Sequence, residues 1–265
     1  MKKITTVTLK EMKSSGRKIT ALTCYSYSMA KILNGADVDI LLVGDSLGMV
    51  ELGYENTLPV TVEEILYHTK AVKRSSPRAL LVSDMPFLSY NISRRQALRQ
   101  AGRIVKEGGA AAVKLEGAGR TARTAAFLVE NNIPVMGHLG LTPQSVHRMG
   151  GYRVQGREKE AAGVILREAK RLEEAGVFAI VLEGVPAELA GEITSGVSVP
   201  TIGIGAGPRC DGQILVINDM LGMDPEFNPR YVRRYEDLHT RILQAVNKYS
   251  GDVKNGSFPS GEEGY

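Results

Sequence analysis

Several side chains capable of chemistry stand where apolar runs of this sequence end. The stretch "LLVGDSLG" (41–48) begins with Leu41, Leu42 and Val43 and then presents Asp45 and Ser46. "RALLVSDM" (78–85) carries Asp84 near its end, and "AAVKLEG" (111–117) carries Lys114 and Glu116 two residues apart, hence on one face of a strand. His138 stands near the end of "IPVMGHL" (133–139), and Glu183 near the end of "FAIVLEG" (178–184). A single Asp at a strand end most often forms a turn or caps a helix. Four acidic residues at four strand ends are a different matter, because carboxylates gathered without a cation repel one another strongly. Either a metal sits among them or some of them keep their protons, since Lys114 supplies only one positive charge.

Carboxylate and water ligation suits a hard cation such as magnesium. The sequence has neither the cysteine spacing nor the paired-histidine spacing of a zinc site. Asp45 and Asp84 are short and come from neighbouring strands, which suits direct ligation. Glu116 and Glu183 are longer, which suits an outer ligand and a base. The residues by themselves point to metal-assisted chemistry on a small anionic substrate.

The elements that must position these groups follow one repeated pattern. Short apolar strands are read at 18–25, 39–46, 78–85, 111–117, 133–139, 178–184, 199–205 and 211–217. Near-continuous Val, Ile and Leu runs are expected of parallel strands covered by helices on both faces. Helices are expected at 60–74, 94–109, 157–176, 186–197 and 229–251. In the first, Val62, Ile65, Leu66 and Thr69 share a face, and Thr61 with Glu64 forms a capping box. Eight strands alternating with helices in about 250 residues is the arithmetic of a (β/α)8 barrel, whose active site lies at the C-terminal ends of the strands. A doubly wound sheet is the alternative, and it gives no reason for the converging charges. One domain spanning residues 1–265 is expected, with a loose tail from about 252. The connection 140–157 is long and follows a strand, which marks it as functional or as a lid.

Composition narrows the classes. With 265 residues, of which 43% are hydrophobic, the chain has enough apolar material for one large core. The net charge of +4 arises from 33 basic and 29 acidic residues spread along the chain. The basic stretches "VKRSSPR" (72–78) and "PRYVRRY" (229–235) lack interleaved stacking aromatics and read as solvated helix faces, not as a nucleic-acid groove. Two distant cysteines, Cys24 and Cys210, form no metal or redox motif. No apolar run approaches the ~18 residues of a membrane span, and the first residues lack a signal peptide's apolar segment, so the expected compartment is the cytoplasm. "GIGAGPRCDG" (203–212) resembles a dinucleotide loop, but Pro208 interrupts it, and a tight turn at the barrel mouth is the better reading. His68 and His147 read as structural or surface residues, and Met49 as space-filling.

Beyond these physical readings, a set of long strings is distinctive: "LLVGDSLGMVELGYENTLPVT" (41–61), "SDMPF" (83–87), "AVKLEG" (112–117), "PVMGHLGLTPQS" (134–145), "GGYRVQGR" (150–157), "VLEGVPAEL" (181–189) and "TIGIGAGPRCDGQ" (201–213). Together they resemble the ketopantoate hydroxymethyltransferase family, over about residues 3 to 259. The resemblance implies magnesium ligands at Asp45 and Asp84, with Glu116 close to the metal, keto-acid contacts at Asp45, Ser46, Asp84 and Lys114, and a catalytic base at Glu183. It also implies a barrel and a ring-like homo-oligomer, a decamer. The sequence departs from the expected pattern at Ser83, at Glu55 and in the loop 116–120.

The implied reaction moves a one-carbon unit from 5,10-methylenetetrahydrofolate to 3-methyl-2-oxobutanoate, giving 2-dehydropantoate in pantothenate biosynthesis. Two rivals stand beside it. A magnesium enzyme of the phosphoenolpyruvate mutase or isocitrate lyase type would need a phosphate cradle or a cysteine nucleophile, and neither Cys24 nor Cys210 has that setting. A non-catalytic keto-acid-binding barrel would leave Glu183 idle.

Overall fold

Short runs of β-branched and leucine side chains dictate the centre of the molecule. A computed structural model describes residues 3–265. Its strands are β1 (Ile19–Thr23), β2 (Ile40–Val43), β3 (Leu80–Asp84), β4 (Ala112–Glu116), β5 (Val135–Gly140), β6 (Ala179–Glu183), β7 (Thr201–Ile204) and β8 (Gly212–Leu215). Each pairs in parallel with the next, and β8 pairs with β1, closing the barrel in sequence order. The expected (β/α)8 fold is thus the observed one. Every residue of β2, β3 and β4 is buried, as strands walled by helices require.

The barrel interior is filled by Ile19, Ala21, Ile40, Leu42, Leu80, Val82, Met136 and Ile202, with Leu9 and Met12 packed into the same cluster. The last two come from a helix, Thr6–Ser14, that the hydrophobic pattern does not announce. Its burial rests on those two residues, too few to set a period, and its start is marked by a reciprocal Thr5–Thr8 capping box.

The helix Val62–Arg74 buries Val62, Ile65, Leu66 and Thr69, the expected face, and carries the Thr61–Glu64 capping box. The region 94–109 is an α-helix over Arg94–Arg103 that widens into a π turn over Ile104–Gly108 and stops at Gly109. Helices at Lys159–Glu174 and Ala187–Gly196 match the expectations to within a few residues.

The chain divides into two compact units, the first ending at Val216 and the second spanning Ile217–Tyr265. The barrel lies wholly in the first. In the second, the long helix runs over Leu238–Asn255 and not over 229–251. Asp237 accepts from the N–H of Thr240 and so starts the helix late. Arg234 donates to the carbonyls of Asp224, Pro225 and Phe227, which holds the preceding segment as a turn.

Candidate active site

Strand register decides which charged residues meet. Asp84 at the end of β3 lies level with Lys114 on β4, Glu116 on β4 lies level with His138 on β5, and Gly140 on β5 lies level with Glu183 on β6. Three successive pairs are thereby stepped around the C-terminal mouth of the barrel. Lys114 Nζ stands 2.9 Å from Asp84 Oδ1 and 3.4 Å from His138 Nδ1. His138 Nδ1 stands 3.4 Å from Glu116 Oε1, and its Nε2 stands 3.3 Å from Glu183 Oε2. The imidazole therefore spans two carboxylates.

Asp45 enters this array through its backbone, whose N–H donates to Asp84 Oδ2 at 2.9 Å. Gly44 allows the approach. A Cβ there would stand 2.8 Å from Ser46 Oγ and 3.4 Å from Asp84 Oδ2. Ser46 Oγ shares a 2.8 Å hydrogen bond with Tyr25 Oη, and the backbone carbonyl of Tyr25 faces His68 Nδ1 at 2.7 Å. His68 is thus a support for Tyr25, in keeping with its structural reading, and His147 is exposed. Ser83, one of the departures from the expected pattern, has its buried hydroxyl met by Thr69 Oγ1 at 2.8 Å.

All seven site residues read from the sequence therefore converge on one mouth. Two further residues join them, and both lie in loops. Gln144, on a short turn over Pro143–Ser145, donates from Nε2 to Asp45 Oδ2 at 2.7 Å and from its backbone N–H to Glu116 Oε2 at 3.0 Å. Tyr90 Oη donates to Gln144 Oε1 at 2.8 Å. The sequence signals for Gln144 were its place in the long connection after β5 and in the string 134–145, and neither gave it a role. Tyr90 had none.

The electrostatics are those of a crowded anionic site. Burial first, then the charges of Asp84 and Glu116, push the Asp45 carboxyl well above the usual carboxylate range, against the opposing pull of Lys114 and Gln144. Burial works against the charge on Lys114, but Asp84, Glu116 and Asp45 outweigh it and raise the ammonium pKa. Burial and Lys114 both oppose protonation of His138, yet Glu116 and Glu183 lift it to about 9. Burial opposes ionisation of Glu116 too, and His138 and Lys114 reverse that and hold it low.

Among the described residues, no group of three or more His, Cys, Asp and Glu side chains is arranged to hold a metal by itself. Glu116 gives one oxygen, Oε2, to the N–H of Gln144 and keeps the other, Oε1, on the side of His138. The carboxylates nevertheless fit magnesium, which is held by one or two carboxylates and completes its shell with water and substrate oxygens. Asp45 resists ionisation because of its burial and then its anionic neighbours, and a cation beside it would favour the charged form. Asp84 Oδ1 and Glu116 Oε1 are buried without a hydrogen-bond partner, although Lys114 lies close to the former.

A family model described as ketopantoate hydroxymethyltransferase matches residues 3–261. The chain belongs to the ketopantoate hydroxymethyltransferase family. It is 56% identical over 261 residues to the 3-methyl-2-oxobutanoate hydroxymethyltransferase of Geotalea uraniireducens (strain Rf4), covering 98% of each chain. It is 54% identical to the protein of the same name from Thermoanaerobacter sp. (strain X514), covering 99% of this chain and 96% of that one. Family membership at this level bears out the resemblance read from the strings above. Among solved structures, phosphonopyruvate hydrolase in complex with oxalate and Mg++ superposes with a TM-score of 0.62 at 14% identity, over 99% of this chain and 93% of that one. 2,3-Dimethylmalate lyase, a PEP mutase/isocitrate lyase superfamily member, gives 0.61 at 13% identity, over 96% and 86%. At such identities these two show the barrel fold alone.

Proposed function

We propose that this ketopantoate hydroxymethyltransferase family member moves a hydroxymethyl group from 5,10-methylenetetrahydrofolate to 3-methyl-2-oxobutanoate, giving 2-dehydropantoate for pantothenate biosynthesis. Near-full-length identity to enzymes of that name supports the reading. The observation that carries it is the stepped array Asp84–Lys114, Glu116–His138 and Glu183 at the barrel mouth. A phosphoenolpyruvate mutase or isocitrate lyase type of activity has no comparable support.

In this reading Asp45 and Asp84 hold the magnesium ion, and Glu116 stands behind them. When bound, the ion supplies Lewis-acid stabilisation of the negative charge that develops on the keto acid as carbon 3 loses its proton. Lys114, kept charged by its carboxylate neighbours, holds the substrate carboxylate, and the Ser46 hydroxyl, oriented by Tyr25, contributes to the same contact. Glu183 takes the proton. Its side chain is a fifth exposed, the most open of the four carboxylates, and it can meet a substrate that enters from solvent. His138 Nε2, 3.3 Å from Glu183 Oε2, faces this base from the neighbouring strand.

The chain works as a homo-oligomer in the same reading, a decamer by resemblance, in the cytoplasm. The long helix Leu238–Asn255 exposes Ile242, Val246, Tyr249 and Val253, which fall on one face at helical spacing and supply an apolar surface for a second copy. No described helix is long and apolar enough to cross a membrane. The test is turnover of 3-methyl-2-oxobutanoate with methylenetetrahydrofolate and magnesium. Formation of 2-dehydropantoate is expected. A folded protein that binds the keto acid and yields no product with the folate present would overturn the assignment.

A further inference from the structure

We propose that Gln144 is a positioning residue that fixes which oxygen of Asp45 faces the bound cation, and that Tyr90 locks the Gln144 amide in the required orientation. This rests on the reading of Asp45 as a magnesium ligand.

The direction of each hydrogen bond in the chain is determined by its chemistry. The backbone N–H of Glu116 donates to Tyr90 Oη at 3.2 Å, so that oxygen is already an acceptor. The phenol has one hydrogen. Its shorter acceptor is Gln144 Oε1, at 2.8 Å, against 3.4 Å to the Glu116 carbonyl. Gln144 Oε1 therefore faces a donor. Both hydrogens of its Nε2 are then spent, on Asp45 Oδ2 at 2.7 Å and on the carbonyl of Met85 at 3.0 Å. Turning the amide over would set Oε1 against those two acceptors and leave Tyr90 facing an N–H group. The partners thus settle the amide's orientation.

All the members are buried: Tyr90, Gln144, Asp45 and Glu116. Misplacing a buried amide whose donors are all used would leave each of its partners unpaired away from water. Through its side chain and its own N–H, Gln144 ties the carboxylates of Asp45 after β2 and Glu116 on β4 to the backbone that follows β3. With Oδ2 of Asp45 held by an N–H, Oδ1 is left to face a cation. Tyr90 reaches Asp45 only through the amide, so its contribution depends on Gln144.

The experiment uses Mn2+ as a paramagnetic probe, titrated into the full-length chain and followed by electron paramagnetic resonance, with keto-acid KM and kcat measured alongside. Gln144→Met keeps the length and removes both donors. It should weaken Mn2+ binding about 10- to 100-fold, the usual effect of removing a hydrogen-bond partner of a metal ligand. Tyr90→Phe should weaken it in the same direction by less. The double variant should be no worse than Gln144→Met alone, since the phenol acts through the amide. Unchanged Mn2+ affinity in folded Gln144→Met, or fully additive effects in the double variant, overturns the proposal. Should Gln144→Met fail to fold, Tyr90→Phe decides, because it removes one oxygen atom, and unchanged Mn2+ affinity there overturns the proposal equally. Absence of Mn2+ binding in the wild-type chain is a different outcome, and it overturns the metal reading on which this one rests.

Discussion

Asp84 accepts the backbone N–H of Asp45 through one carboxylate oxygen and faces Lys114 Nζ with the other, at 2.9 Å each. One side chain thus sets the turn that presents Asp45 and offsets the charge of a buried lysine. Asp84→Asn keeps an acceptor for the Asp45 N–H and removes the charge. It should abolish detectable Mn2+ binding and turnover, and it should lower stability by roughly 3 kcal/mol, because a buried ammonium loses its closest partner. EDTA should silence the wild type, and added magnesium should restore it. Wild-type Mn2+ affinity in a folded Asp84→Asn protein would remove Asp84 from the ligand set.

Glu183 meets His138 and is separated from the Asp45–Asp84 pair in strand order, β6 against β2 and β3. A base acting on carbon 3 of the keto acid exchanges that proton with solvent whether or not the folate is present. The wild type should wash deuterium into 3-methyl-2-oxobutanoate in D2O with magnesium alone. Glu183→Gln keeps shape and hydrogen bonding but accepts no proton. Exchange and turnover should fall together by about 10² to 10⁴, with metal and keto-acid affinity little changed. Exchange at the wild-type rate would mean that the base is elsewhere, with Glu116 or His138 next in line. Loss of metal instead would place Glu183 among the ligands.

Gly140 ends β5 with φ of +93°, and a Cβ there would collide with the carbonyl of Glu183 and stand 2.7 Å from Val185 Cγ1. Both the backbone conformation and the close approach require glycine. Gly140→Ala should therefore cost more than about 1 kcal/mol of stability. Because the collision falls on Glu183, the proposed base, kcat should drop as well, while Mn2+ affinity stays near wild type. Equal losses in metal binding and kcat would show that the whole mouth has moved and not β6 alone.

The barrel was legible because parallel strands buried on both faces must be apolar along their length, and eight such runs stand out. Asp45, Asp84, Lys114, Glu116 and Glu183 were legible for the complementary reason: each breaks an apolar run. The partners of His138 were not, since they depend on strand register, which no local pattern encodes. Tyr90 and Gln144 escaped because loop residues have no period and their importance lies in what they touch. The helix Thr6–Ser14 buries two residues, Leu9 and Met12, and leaves too faint a stripe to read. At the other end, continuous helical character over 229–251 concealed Asp237, whose capping bond starts the helix at Leu238.

Asp219, in the second unit, tests how pH acts on a group that is not part of the barrel. Burial first, and then the charge of Asp224, raise its carboxyl pKa to about 6, with Arg234 opposing. The sign follows from proton uptake. The folded chain holds this proton more tightly than the unfolded chain, whose Asp has the ordinary value near 3.8. Below that value both states are protonated and the group contributes no difference. As the pH rises from about 4 to about 6, the unfolded state ionises first and stability falls, and above about 6 the penalty is constant. Asp219 is only partly buried, so solvent screening reduces the effect to on the order of 1 kcal/mol. Asp219→Asn removes the charge and nearly keeps the shape. Its melting temperature should exceed that of the wild type at pH 8 by a few degrees, and the gain should vanish by pH 4. Comparing the two proteins at each pH cancels every other titrating group. A stability difference that is the same at both pH values would mean that the Asp219 charge is not under strain in the folded chain.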